Sequence, residues 1–255
     1  MTTKLQRLRS AAVDVPRKAS LIFRDYVLEL YYPLHELTWR DRLRCTPRLF
    51  IVELLVYQVD AVVEGAKDVD LEKVRNKDYS TLHRYKARFE TLLRRLDAYS
   101  DAVAHQIEMG EQYVRLENRV TSNDCATHED VLRLAELRPS DVRLLHGMIF
   151  SLAHSPLDEG LLELLWPVEV LADIGNDLEH YAEDAAKGQF NTYSAFVALY
   201  GEEAPARMRT EIDRYERMFR DRLRGVQADR RARVEALCAR RYRDRVERLP
   251  EIITS

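Results

Sequence analysis

Glycine and proline are scarce, with eight of each in 255 residues. That leaves little punctuation for the many tight turns of a β-rich fold and favours long helices. Cysteine is scarcer still. Cys45, Cys125 and Cys238 are far apart, odd in number and form no CxxC pair, which argues against a disulfide framework or a zinc cluster and for a reducing compartment. Neither sign of charge dominates: 40 Lys and Arg stand against 43 Asp and Glu, a net of −3, so overall electrostatics give no support to binding nucleic acid or an anionic membrane. Long hydrophobic runs are also missing. The stretch LFIVELLVYQV is interrupted by Glu53 and Gln58 and is too short to span a bilayer. The opening residues, MTTKLQRLRSAAVDVPRK, lack the apolar core of a signal peptide. No strand alternation, Gly-rich phosphate loop or internal repeat stands out. The expectation is a cytoplasmic protein without stable membrane insertion.

What is present is a globular composition, 46% apolar and 33% charged, with helical periodicity. A helix is expected from Pro16 to Tyr32, ended by Pro33. A short segment around 35–44 follows, and then a helix with Pro47 in its first turn that closes at Gly65. From Tyr79 to Val120 the residues Leu82, Tyr85, Phe89, Leu92, Leu93, Leu96, Val103, Ile107, Tyr113 and Leu116 recur at helical spacing, predicting one long helix that bends or breaks at Gly110. A short helix to Leu137, a break at 138–140, a helix over 141–153, a long helix over 161–186 containing Pro167, and helices over 190–200 and 203–248 complete the chain. The fold class is therefore all-α: a single-domain bundle of roughly ten helices. Residues 1–16 form a flexible N-terminal arm and 17–255 the helical domain.

Two stripes carry chemistry. At ~100° per residue, Asn176, His180, Asp184 and Lys187 fall within ~80° of one another on a helix. An amide oxygen, an imidazole and a carboxylate can hold a divalent cation, and the ammonium a phosphate attached to it. Asp60 and Glu64 lie at i and i+4 on an apolar helix, with no basic residue between them or in the turn before Asp60; a shared cation would relieve their repulsion. Each has a plainer alternative: a salt-bridged, half-exposed face for Asp60 and Glu64, and a hydrogen-bonded surface or core histidine for His180.

The stretch Asn176-Asp177-Leu178-Glu179-His180-Tyr181-Ala182-Glu183-Asp184, with Lys187 three residues on, resembles the second metal motif of class I terpene synthases. Asp60…Glu64 resembles their first, Asp-rich motif. Arg138-Pro139-Ser140-Asp141-Val142 resembles the diphosphate-sensing Arg with its linker Asp and effector position, and Arg241-Tyr242 the Arg-Tyr pair near the C-terminus. Ala61 stands where the family usually has a second Asp, and His180 where it has a hydroxyl residue.

The resemblance implies the class I terpenoid synthase fold, with a central active-site cavity, and a cyclase that ionises a linear allylic isoprenoid diphosphate, C15 or C20, with several Mg²⁺ ions. It assigns metal binding to Asp60, Glu64, Asn176, His180 and Asp184, diphosphate binding to Arg138, Lys187, Arg241 and Tyr242, and catalysis to Asp60, Asn176, Arg138 and Tyr242. Tyr57, Phe50, Val142, Phe150, Trp166 and Leu165 would line the cavity, where aromatic faces stabilise cations; Tyr193 is a further candidate. The implied partner is the isoprenoid diphosphate, and a homodimer is compatible with the family. Two alternatives stand beside it. One is a prenyl-coupling enzyme of the squalene/phytoene synthase or prenyltransferase type, whose DxxxD spacing Asp60…Glu64 also fits. The other is a non-catalytic helical scaffold. Glu169 and Asp173, deeper on the Asn176 face, have no assigned role, and Asp173 with Asp177 forms a second DxxxD pair.

Overall fold

The computed structural model describes residues 16–67, 80–122 and 126–253, and side chains within 16–57, 86–121 and 126–253. The expected arm lies almost wholly outside these residues, as does Cys125. A π-helical segment, Phe23–Tyr31, leads into a single turn α1 (Tyr32–Leu34). Then follow α2 (Trp39–Lys67), α3 (Ser80–Arg95), α4 (Asp101–Ser122), α5 (His128–Leu137), α6 (Ser140–Leu152), α7 (Glu159–Lys187), α8 (Thr192–Tyr200), α9 (Ala204–Leu223) and α10 (Ala228–Glu247). No strand occurs among the described residues, so the fold is all-α there. No described helix is long and apolar enough to cross a membrane.

Several boundaries follow from capping residues. Thr127 and Asp130 form a reciprocal capping box at the start of α5, satisfying two of the backbone amides that a helix start leaves open. Asp158 accepts from Leu161 N at 2.9 Å to begin α7, and Gly188 ends it with φ +64°, a left-handed cap that costs glycine little. Thr38 opens α2: its hydroxyl donates to Asp41 Oδ2 at 2.6 Å and accepts from Asp41 N at 3.3 Å. This cap starts the helix eight residues before Pro47, which therefore lies inside it rather than in the first turn. Pro47 is exposed, so water can satisfy the carbonyl that its missing N–H leaves open.

The long helix expected over 79–120 is two helices. The break falls at Asp97, with φ +55°, a conformation Asp tolerates better than most residues. Ser100 then restarts the chain, accepting from Ala104 N through its carbonyl and from Val103 N through its hydroxyl. Gly110 lies within α4. Residues 203–248 are two helices, α9 and α10.

The chain divides into two compact units: Met1–Glu108 with Asp141–Leu157, and Met109–Ser140 with Asp158–Ser255. In the first, Phe23, Val27, Leu30, Tyr31, Leu49, Val52, Leu145, Met148 and Ile149 are buried. A Cβ at Gly147 would come within 3.2 Å of Val103 Cγ2, so α6 and α4 pack closely there. In the second, α9 and α10 pack along α7. A Cβ at Gly175 would come within 2.8 Å of Arg245 Cβ, so the α7–α10 crossing requires glycine at that position. Cys45 and Cys238 are free and buried.

Candidate functional site

The best-defined polar cluster lies in the second unit, around the middle of α7. Asp177 is 1% exposed, a costly place for a carboxylate unless its oxygens are paired. Both are: Arg138 Nη1 donates to Oδ1 at 2.5 Å, and Thr192 N donates to Oδ2 at 2.8 Å. Arg138, the residue after α5, keeps 26% of its side chain exposed. Burial works against its charge, but Asp177 first and Asp173 next outweigh that and hold its pKa above the usual value. Tyr113 of α4 donates to Glu117 Oε1 at 3.0 Å. Burial pushes its phenol well above the usual range, against the opposing pull of the Arg138 charge and with smaller help from Glu117 and Asp177.

Asn191 ties this cluster to the next helix. Its Oδ1 accepts from Tyr193 N and Ser194 N at 3.0 and 3.1 Å, capping α8. Its Nδ2 donates to the Asp177 carbonyl at 2.7 Å and to Asp184 Oδ2 at 2.9 Å.

The residues assigned to the second metal motif all lie on α7. Asn176 is half-buried, and its amide has no hydrogen-bond partner among the described residues. His180 is exposed, with Nδ1 2.9 Å from the Asn176 carbonyl oxygen; Nε2 is the nitrogen left for a ligand. Asp184 is half-buried and has one oxygen on Asn191. Lys187 is exposed and paired with Glu183. Asn176 and Asp184 offer the oxygen donors that Mg²⁺ takes, whereas the His180 nitrogen suits a softer ion. Two of the three therefore fit. Among the described residues no three His, Cys, Asp or Glu side chains group as a metal site. Asp60 and Glu64 belong to the helical backbone of α2, but their side chains lie outside the described residues.

The other assigned residues are divided between the two units. In the second unit, Tyr242 is buried, its ring packed edge-on against Phe219 at 6.5 Å, and burial pushes its hydroxyl up to about 12. Arg241 beside it is half-buried. Leu165 is fully buried, and Trp166 packs on Tyr215 with centroids 5.8 Å apart. Tyr193 is buried and donates from its hydroxyl to the Pro250 carbonyl at 3.0 Å. In the first unit, Phe50 meets Phe23 edge-on at 5.4 Å, Phe150 meets His35 edge-on at 4.5 Å, Val142 is buried and Tyr57 is half-buried. Asp141 accepts from Val142 N at 2.7 Å at the start of α6.

Two buried features of the first unit carry no assignment from the sequence. Glu53 is fully buried, and neither of its oxygens has a hydrogen-bond partner among the described residues; burial first and Asp141 second push its carboxyl up to about 9. His146, also fully buried, places Nε2 2.8 Å from His35 Nε2 and stacks on Tyr31 at 4.3 Å. Both interrupt apolar runs in the sequence, LFIVELLV and LLHGMIF, and that interruption was the only available signal. No family model, no curated protein and no solved structure matches the chain.

Proposed function

We propose that the chain is a Mg²⁺-dependent class I terpene synthase that ionises a linear allylic isoprenoid diphosphate and cyclises the resulting carbocation. The observation that carries this is the bond from Arg138 to Asp177, the residue next to Asn176. Two motifs matched independently in the sequence, the diphosphate-sensing Arg and the second metal motif, thus meet in one unit.

Asn176 and Asp184 are the oxygen ligands proposed on α7, and Asp60 and Glu64 those proposed on α2. Bound Mg²⁺ would neutralise diphosphate charge and so make it a leaving group. Arg138 has five N–H donors and commits one to Asp177 in the bonds described, so its remaining donors suit diphosphate oxygens. Asp177 fixes the guanidinium so that little reorganisation is needed on binding.

A non-catalytic helical scaffold is the competing reading. It is favoured by the commitment of Asp177 and Asp184 to bonds that tie α7 to α8. Incubation with the C10, C15 and C20 diphosphates and Mg²⁺, with product analysis and an assay for released diphosphate, separates the readings. Cyclic product supports the synthase, and a longer chain would indicate prenyl coupling. No diphosphate release from any substrate, alone or mixed, would leave the scaffold. Asn176→Ala is expected to abolish turnover while retaining the helical circular dichroism; near-native turnover would remove the metal assignment of α7.

A further inference from the structure

The first half of α2 presents apolar side chains on the side that faces away from the core. At ~100° per residue, Trp39, Leu43, Pro47 and Ile51 form a stripe opposite Cys45, Leu49 and Val52, which are fully buried. Trp39 is 66% exposed, Leu43 65% and Ile51 47%, and Pro47 is exposed as well. A groove of about 370 Å³ lined by Trp39, Arg42, Leu43, Thr46 and Pro47 runs beside them. Scattered exposed apolar residues are ordinary, but a contiguous stripe on one helix face marks a contact surface.

The charges beside the stripe identify the occupant. Residues 38–51 hold four Arg and one Asp, a local net of +3 within a chain whose net is −3. Arg44 and Arg48 border the stripe on one side and Arg42 on the other, and Arg40 lies over the Trp39 ring at 5.3 Å. The lone carboxylate, Asp41, is taken by Thr38 and Arg44. A second copy of this face would bring arginine against arginine across a two-fold contact. A nucleic acid would use the arginines but leave the tryptophan and leucine without a role. An apolar stripe with a Trp, bordered by arginines, fits a helix lying in the interface of an anionic bilayer.

We propose that α2 docks this face on an anionic lipid surface, Trp39 and Leu43 entering the headgroup–acyl boundary and the bordering arginines pairing with lipid phosphates. The docking does not depend on the catalytic reading.

The test is co-sedimentation of the full chain with vesicles of phosphatidylcholine containing phosphatidylserine, against phosphatidylcholine alone. Tight binding is expected only with the anionic lipid, reduced at least tenfold by Leu43→Ser or Trp39→Ser and weakened by Arg40→Glu. It should also weaken in about 1 M salt, where charges are screened within ~3 Å. In a Trp166→Phe background, the emission of Trp39 should shift to the blue on anionic vesicles. Absence of binding to anionic vesicles, or equal binding by the serine variants, would overturn the proposal. So would a vesicle-free dimer in the ultracentrifuge that Leu43→Ser dissolves, because a second copy would then cover the face.

Discussion

Arg138 and Asp177 lie 39 positions apart in sequence and form an ion pair of 2.5 Å, which joins the end of α5 to the middle of α7. The carboxylate is 1% exposed and the guanidinium only partly so. Removing one partner strands the other charge in a poorly solvated place, a loss of several kcal/mol, whereas replacing both with apolar groups can be nearly neutral. Asp177→Asn is expected to cost about 3 kcal/mol in urea denaturation. The double change Arg138→Met with Asp177→Asn, which leaves the buried Thr192 amide an acceptor, should recover much of that loss. Additive losses in the double variant would mean that the two residues act separately.

Asn191 tests how firmly the candidate metal helix is tied to α8. Its side chain performs two tasks with opposite ends. Oδ1 caps α8, and Nδ2 bridges the Asp177 carbonyl and Asp184. Asn191→Ala removes both, and a loss of about 2 kcal/mol is expected. Asn191→Asp keeps the cap acceptor but replaces the donor with a carboxylate facing Asp184. Thermal melting should therefore rank the wild type above both variants, and the aspartate variant should gain on the alanine variant when salt screens the repulsion. Equal melting of all three proteins would show that the cap and bridge do not anchor α8.

Much of the element plan was legible because helix ends are local. Thr127 with Asp130, Asp158, Gly188 and Asn191 each announce a boundary within a few residues. The break between α3 and α4 was hidden for the opposite reason: Leu92, Leu93, Leu96, Val103 and Ile107 keep helical spacing straight through it, and the turn rests on the left-handed Asp97. Periodicity records which face is buried, not whether the backbone is continuous. At the site, the stripe Asn176–His180–Asp184–Lys187 was readable because it repeats within one helix. The partner of Arg138 was not readable, because nothing local selects Asp177 among 43 acidic residues.

Glu53 makes a prediction with a definite sign. Burial raises its carboxyl from 4.5 to about 9, so the folded chain holds a proton that the unfolded chain releases above its ordinary pKa. Its contribution is fully favourable below about 4.5 and is lost as pH rises toward 9, a cost of about 3 kcal/mol at neutral pH. Glu53→Gln removes the titration and keeps the shape. Urea midpoints should nearly coincide at pH 5, and the glutamine variant should be the more stable at pH 8. The same difference at both pH values would mean that the buried carboxyl is not held protonated.

His146 runs the other way within the same unit. Burial first, and His35 second, lower its pKa well below 6.5, so the folded chain keeps it neutral while the unfolded chain takes up a proton near that value. Stability is present above about 6.5 and lost as pH falls below it, at up to about 1.4 kcal/mol per pH unit. Glu53 favours the fold over that same acid range at a similar slope of opposite sign. The two contributions therefore offset one another between about pH 5 and 6.5 and part above it, where only Glu53 titrates. His146→Phe keeps an aromatic ring beside Tyr31 and removes the titration. Its stability relative to wild type should rise as pH falls from 6.5 to 5 and hold constant from 7 to 8. Glu53→Gln should show the complementary profile, gaining steadily on wild type up to pH 8. Combining both substitutions should give the sum of the two single-variant differences at each pH. A His146→Phe difference that does not change between pH 5 and 7 would mean that the imidazole pair takes up its proton in the folded chain.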